Sequence, residues 1–119
     1  MYDIAIIGGG PAGLAAGLYG ARGGMDTVLL ENMLVGGQIT KTTQVDNYPG
    51  FPDGIDGFAI GTNMQKQAER FGLEIKRTGV DSVELEGEIK RLHCGREVIE
   101  AKAVIIATGA HPKKLGLDR

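Results

Sequence analysis

A chain of 119 residues with 13 Lys and Arg against 15 Asp and Glu carries a net charge of −2. That balance argues against nucleic acid and against an anionic membrane surface as principal partners, since both select a basic excess. The length fits one domain able to bury a core without metal or disulfide staples, and the single cysteine, Cys94, can close no internal disulfide. No apolar run reaches the roughly 18 residues of a membrane span. The first residues lack the basic and apolar regions of a secretory signal, so the expected compartment is cytoplasmic. Glycine is the anomaly: there are 20, set singly or in short groups at the ends of apolar segments. That placement points to tight turns and close backbone approach.

In chain order, residues 2–7 read as a buried strand, short, apolar and ended by glycines. Residues 11–21 read as a helix that opens on Pro11 and stops at Gly23-Gly24. Gly13 and Gly17 are poor helix formers, and their smallness implies a helix lying tight on strands. Residues 27–31 complete a β-α-β unit of about 30 residues, for which a right-handed crossover is expected. Residues 32–54 carry no long apolar period; a connection of that length in a small domain points to function. Asp56 is placed to cap a helix that runs to about Phe71, with Ile60, Met64, Ala68 and Phe71 on one face and Gly72 after its end. Residues 73–76 form a short strand. Residues 80–85, 88–94 and 96–100 form a small antiparallel meander turning at Glu86-Gly87 and Gly95. Residues 103–107 form a further buried strand closed by Thr108-Gly109, and Pro112 begins an exit from the domain.

Gly8-Gly9-Gly10-Pro11-Ala12-Gly13 satisfies G-x-G-x-x-G. In so glycine-rich a chain chance alone gives about half a match to the bare spacing, so its context decides. Here the motif leaves a strand, opens a helix and sits inside a β-α-β unit. Gly8 makes the turn out of the strand, Gly10 lets a pyrophosphate approach the backbone, and Gly13 lets the helix pack close. The helix opens at Pro11 and Ala12, and its N-terminus offers free N–H groups, none of them from the proline, and a partial positive charge to phosphates. Glu31 ends the second strand, 18 residues beyond Gly13, where a carboxylate accepts hydrogen bonds from an adenosine ribose and disfavours a 2′-phosphate. The unit thus recognises an ADP moiety. On these residues alone FAD and NAD stay equally open, as does a stand-alone ADP- or NAD-binding module without redox role.

Four segments, in order and at matching spacing, make the chain similar to the N-terminal part of the bacterial-type, low-molecular-weight thioredoxin reductases. They are Ile7-Gly8-Gly9-Gly10-Pro11-Ala12-Gly13, Gly36-Gly37-Gln38-Ile39-Thr40, Val45-Asp46-Asn47-Tyr48-Pro49-Gly50-Phe51 and Ile105-Ile106-Ala107-Thr108-Gly109-Ala110. A thioredoxin-reductase-like ferredoxin–NADP reductase lies in the same branch. The resemblance implies FAD as the cofactor, with NADPH serving the full-length parent. Gly36, Gly37, Gln38, Ile39 and Asn47 would lie near the flavin end. The backbone at Val80 would reach the adenine, and Thr108 and Gly109 would lie beside the cofactor. The resemblance also implies a Rossmann-like FAD/NAD(P)-binding α/β fold, with a parallel sheet, helices and a small antiparallel meander. The chain would form the first half of a discontinuous domain spanning residues 1–119. The family's redox Cys-x-x-C pair and NADPH site belong to an inserted domain, and no Cys-x-x-C occurs here. The expected parent passes electrons from NADPH through FAD to the disulfide of a thioredoxin-like protein. The 119-residue chain alone is expected to be inactive and to carry no catalytic residue, and a homodimer is open to it.

Other residues take plainer readings. Cys94 reads as an inert thiol. His93 and His111 stand apart without ligands at metal spacing, so no metal site is expected. Glu84, Glu86 and Glu88 read as a solvated charge run.

Overall fold

A computed structural model describes residues 1–32, 35, 36, 46 and 49–108. Its elements are β1 (Tyr2–Ile7), α1 (Pro11–Arg22), β2 (Thr27–Leu30), α2 (Gly57–Arg70), β3 (Glu74–Lys76), β4 (Ser82–Glu84), β5 (Lys90–Cys94) and β6 (Glu97–Ile106). The six strands form one sheet in the order β3-β2-β1-β6-β5-β4. The pairings β3-β2, β2-β1 and β1-β6 are parallel, and β6-β5 and β5-β4 antiparallel. The fold is therefore α/β and Rossmann-like, with the expected β-α-β start and an antiparallel meander.

Two apolar clusters account for the layering. Ile6, Leu29 and Leu73 pack with Leu14 and Ala21 of α1 and Ala68 of α2 on one side of the sheet. Ala5, Val28 and Leu30 pack with Leu92 and Cys94 of β5 and Ile99 and Ala101 of β6 on the other. The alternation of β1 follows from strand geometry, in which neighbouring side chains point to opposite faces. All four residues of β2 are buried, as a strand covered on both faces requires. Fully burying one such Leu or Ile side chain contributes about 1.5–3 kcal/mol. At the surface, Lys76 Nζ donates to Glu97 Oε2 at 2.8 Å and the Tyr2 hydroxyl donates to Glu74 Oε1 at 2.9 Å. Burial, reinforced by Glu74, raises the Tyr2 phenol above its ordinary value.

The helix ends follow local chemistry. Asp56 caps α2, its Oδ2 accepting from Ala59 N–H at 3.0 Å. At the other end, Gly72 N–H bonds Glu69 C=O and Leu73 N–H bonds Ala68 C=O, the pairing of a Schellman stop. Ile60 and Ala68 are buried while Met64 and Phe71 are partly so, in agreement with the expected face.

One expectation is corrected. Residues 96–100 and 103–107 were expected as two strands, but β6 runs unbroken from Glu97 to Ile106. No glycine or proline interrupts residues 97–106, and Lys102 breaks only the apolar pattern, its Nζ reaching Asp3 Oδ1 at 3.6 Å. Ala101 is the pivot: it pairs with Lys90 of β5 and with Tyr2 of β1. β6 thereby leaves the meander and enters the parallel sheet without a turn. The expected exit from Pro112 lies outside the described residues.

Candidate nucleotide-binding site

The parallel strands end together. β1 sits between β2 and β6, and after β3 the chain crosses through the meander to the far side of β1. In open α/β sheets that reversal creates a crevice beyond the carboxyl ends of the strands. Gly8 N–H bonds Leu30 C=O at 2.9 Å, Glu31 N–H bonds Lys76 C=O at 3.1 Å and Ala107 N–H bonds Ile7 C=O at 2.8 Å. These bonds register the strand ends and so fix the residues just past them.

Gly8 has φ +111°, a left-handed backbone, and a Cβ there would lie 2.2 Å from the Ala107 carbonyl oxygen. Only glycine turns the chain out of β1 beneath the end of β6. A Cβ on Gly13 would lie 1.9 Å from the Gly8 carbonyl oxygen, so the first turn of α1 rests directly on the loop that precedes it. Gly17 is packed less tightly, a Cβ there lying 2.7 Å from Cδ2 of the Leu73 side chain rather than against backbone.

The N-terminus of α1 carries no side-chain cap, because the capping position is Gly10, and no acidic residue lies in its first turn. Pro11 has no N–H, and Leu14 N–H already bonds Gly10 C=O. The N–H groups of Ala12 and Gly13 are therefore left to bind something other than the helix. This donor set, with the partial positive charge of the helix end, suits a pyrophosphate.

Glu31 follows the last residue of β2, and its Oε1 accepts from Gly9 N–H at 2.7 Å. The contact is tight: a Cβ on Gly9 would lie 3.1 Å from Glu31 Cβ and 3.2 Å from its Cγ. Gly9, which the motif leaves unspecified, thus holds the acid beside the glycine loop. Gly36 joins the same place, its N–H donating to Gly9 C=O at 2.6 Å.

A recess of about 240 Å³ opens at this edge. Of the residues expected at a site, it brings together Gly8, Glu31, Val80 and Thr108. Gly10, Pro11, Ala12 and Gly13 form the adjoining helix end, and Gly36 lies on the glycine loop. Gly37, Gln38, Ile39, Asn47 and Gly109 lie outside the described residues. Asn32, Thr78 and Gly79 also line the recess and were not expected; adjacency to Glu31 and Val80 in sequence was the only signal for them. The residues present fit a dinucleotide's ADP half: a carboxylate and the Gly8 backbone line the recess, and the uncapped N–H donors of α1 adjoin it.

Elsewhere the chemistry is quiet. Cys94 is buried, and burial, with Glu97 and Asp81 adding to it, raises its thiol above the ordinary value. Glu84, Glu86 and Glu88 are exposed, and Glu84 Oε2 lies 2.5 Å from His93 Nε2. Among the described residues no group of three or more His, Cys, Asp or Glu could hold a metal ion, and no helix is long and apolar enough to cross a membrane.

Residues 2–118 match the family of pyridine nucleotide-disulphide oxidoreductases. The chain is 51 % identical over 116 residues to a thioredoxin reductase of Peptoclostridium litorale, covering 98 % of this chain and 37 % of that protein. It is 45 % identical over 119 residues to a thioredoxin reductase of Helicobacter pylori, covering 98 % and 38 %. The crystal structure of Lactococcus lactis thioredoxin reductase superposes with a TM-score of 0.92 at 39 % identity, over 98 % of this chain and 38 % of that one. A ferredoxin-flavin thioredoxin reductase from Clostridium acetobutylicum superposes at 0.85 with 31 % identity, over 96 % and 39 %. The chain therefore spans less than two-fifths of the length of these relatives.

Proposed function

The chain belongs to the pyridine nucleotide-disulphide oxidoreductase family, and from that premise we propose that it is the FAD-holding part of a thioredoxin reductase-like flavoprotein. One observation carries this reading: the uncapped start of α1, the Gly8 turn and the Glu31 carboxylate converge at the carboxyl ends of the parallel strands. When bound, the flavin supplies the electron-transfer chemistry, and the protein supplies binding and orientation. The Ala12 and Gly13 N–H groups hold the pyrophosphate, Gly10 gives it room, and Glu31 accepts from the adenosine ribose. The backbone at Val80 meets the adenine. Gly36, Gly37, Gln38, Ile39 and Asn47 serve the flavin end, with Thr108 and Gly109 beside the cofactor.

In the parent, electrons would pass from NADPH through FAD to the disulfide of a thioredoxin-like protein in the cytoplasm. Residues 1–119 would be the first part of its FAD domain. The similarity to a ferredoxin-flavin thioredoxin reductase leaves ferredoxin as a second electron donor to test. A chain with one cysteine cannot form the intramolecular disulfide that such a reaction uses, so turnover by this chain alone is not expected.

Titration of FAD, ADP and NAD against the wild type and Gly10→Val tests the reading. FAD and ADP should bind the wild type, with FAD bringing flavin absorbance to the protein, and binding should be lost in a variant that keeps its circular dichroism. Equal affinity in both proteins would remove the glycine loop from the site. Binding of NAD in preference to FAD would favour a dinucleotide module without redox role.

A further inference from the structure

The recess has two walls with different tasks. On one, Glu31 is held by the glycine loop. On the other, residues 78–80 run past the mouth on the connection from β3 to β4. Asn32 lies between them. It follows Glu31 directly, is exposed, and lines the same recess. Its side chain is seated on Gly79: a Cβ there would lie 3.2 Å from Asn32 Nδ2 and 3.5 Å from its Cβ. The glycine leaves the space in which the carboxamide rests, so the amide lies against residue 79, next in the chain to Val80.

The polar side chains that line the recess among the described residues, Glu31, Asn32, Thr78 and Thr108, differ in what they can read. Ionised Glu31 only accepts, and the hydroxyls of Thr78 and Thr108 rotate to donate or accept as required. Among the described residues that line it, Asn32 is the one that presents a donor and an acceptor side by side on a planar amide. That pair matches an adenine edge, where N7 accepts and the N6 amino group donates, and it mismatches guanine, where N7 and O6 both accept.

We propose that Asn32, seated on Gly79, is a specificity-determining residue that selects adenine as the base of the bound nucleotide. The inference rests on the adenosine-binding reading above and extends it from the ribose to the base. A bidentate amide–adenine contact discriminates between bases by about 5-fold to 150-fold.

The test titrates ADP and GDP, which share ribose and phosphates, against the 119-residue wild type, Asn32→Ala, Asn32→Asp and Glu31→Ala. The wild type should prefer ADP within that range. Asn32→Ala should bring the two affinities to within about twofold of each other, whereas Asn32→Asp, which loses the donor to N7 but still accepts from the adenine N6 amino group and repels guanine O6, should weaken ADP yet leave it preferred. Glu31→Ala should weaken both nucleotides and leave their ratio in place. A wild-type preference that persists in Asn32→Ala overturns the assignment of Asn32 while leaving the site intact. Failure of the wild type to bind ADP at all overturns the adenosine site, and this inference with it.

Discussion

At Gly13 the constraint is backbone against backbone, since a Cβ would lie 1.9 Å from the Gly8 carbonyl oxygen and neither group can step aside. Gly13→Ala is therefore expected to destabilise the chain by about 1–3 kcal/mol, the usual range for overpacking, with a matching fall in the urea midpoint. Glu31→Ala belongs to a different class. It should weaken ADP binding by about 1–3 kcal/mol, the range for hydrogen bonds to a charged group, and the loss should nearly vanish with 2′,3′-dideoxy-ADP. An unchanged loss with that analogue would mean that Glu31 acts only through Gly9. The turn at Gly8, the close packing at Gly13 and the position of Glu31 at the end of β2 were legible because the motif's spacing carries them. Gly9 was not legible, because its constraint comes from the Glu31 side chain 22 residues away. Cys94 offers a pH test. Burial raises its pKa in the folded state, so the stability tied to the neutral thiol is complete below the ordinary value of about 8.5 and is lost as pH rises beyond it. Cys94→Ala should flatten the alkaline fall in stability, and native Cys94 should label with iodoacetamide far more slowly at pH 7.5 than the urea-unfolded chain. Equal labelling rates would contradict an inert, buried thiol.

At the scale of elements, the signals that could be read were those with local causes. The first strand, the proline start of α1, the Asp56 cap and the Gly72 stop each depend on residues within one turn of the boundary they set. Asp56→Ala should cost about 1 kcal/mol and lower the midpoint of thermal unfolding by a few degrees; an unchanged midpoint would show that the cap is replaced by solvent. β6 was misread because its continuity has no local cause. Lys102 interrupts the apolar pattern, yet the strand persists because Ala101 is paired on both sides at once, to Lys90 and to Tyr2. A residue that changes partner from antiparallel to parallel looks, in sequence, like the gap between two strands. Asn32 and residues 78–79 escaped notice for a related reason: they sit in connections, and only the folded sheet brings those connections to one recess.

For the molecule as a whole, the unequal cover on β6 has a consequence for association. β5 pairs with β6 only over residues 97–101, while β1 pairs with it up to Ile106. Among the described residues, 102–106 therefore have a strand on one side only, which leaves a row of backbone N–H and C=O groups open to pairing. Beyond Lys102 the same stretch is apolar and poorly covered. Ile105 stands in register with Ile6, on the face that carries α1, yet it is 38 % exposed where Ile6 is fully buried. Ile106 is 62 % exposed. An open edge lined by exposed isoleucines favours strand-to-strand contact between copies, since pairing satisfies the backbone and removes apolar surface from water together. The 119-residue chain is expected to self-associate with rising concentration. Sedimentation velocity at increasing protein concentration should show the growth of dimer or larger species. Ile105→Lys and Ile106→Lys, which place charge on either face of the open edge, should shift the distribution toward monomer without loss of ADP binding. A monomer that persists at high concentration, or association indifferent to both substitutions, would show that this edge is covered by other residues of the same chain.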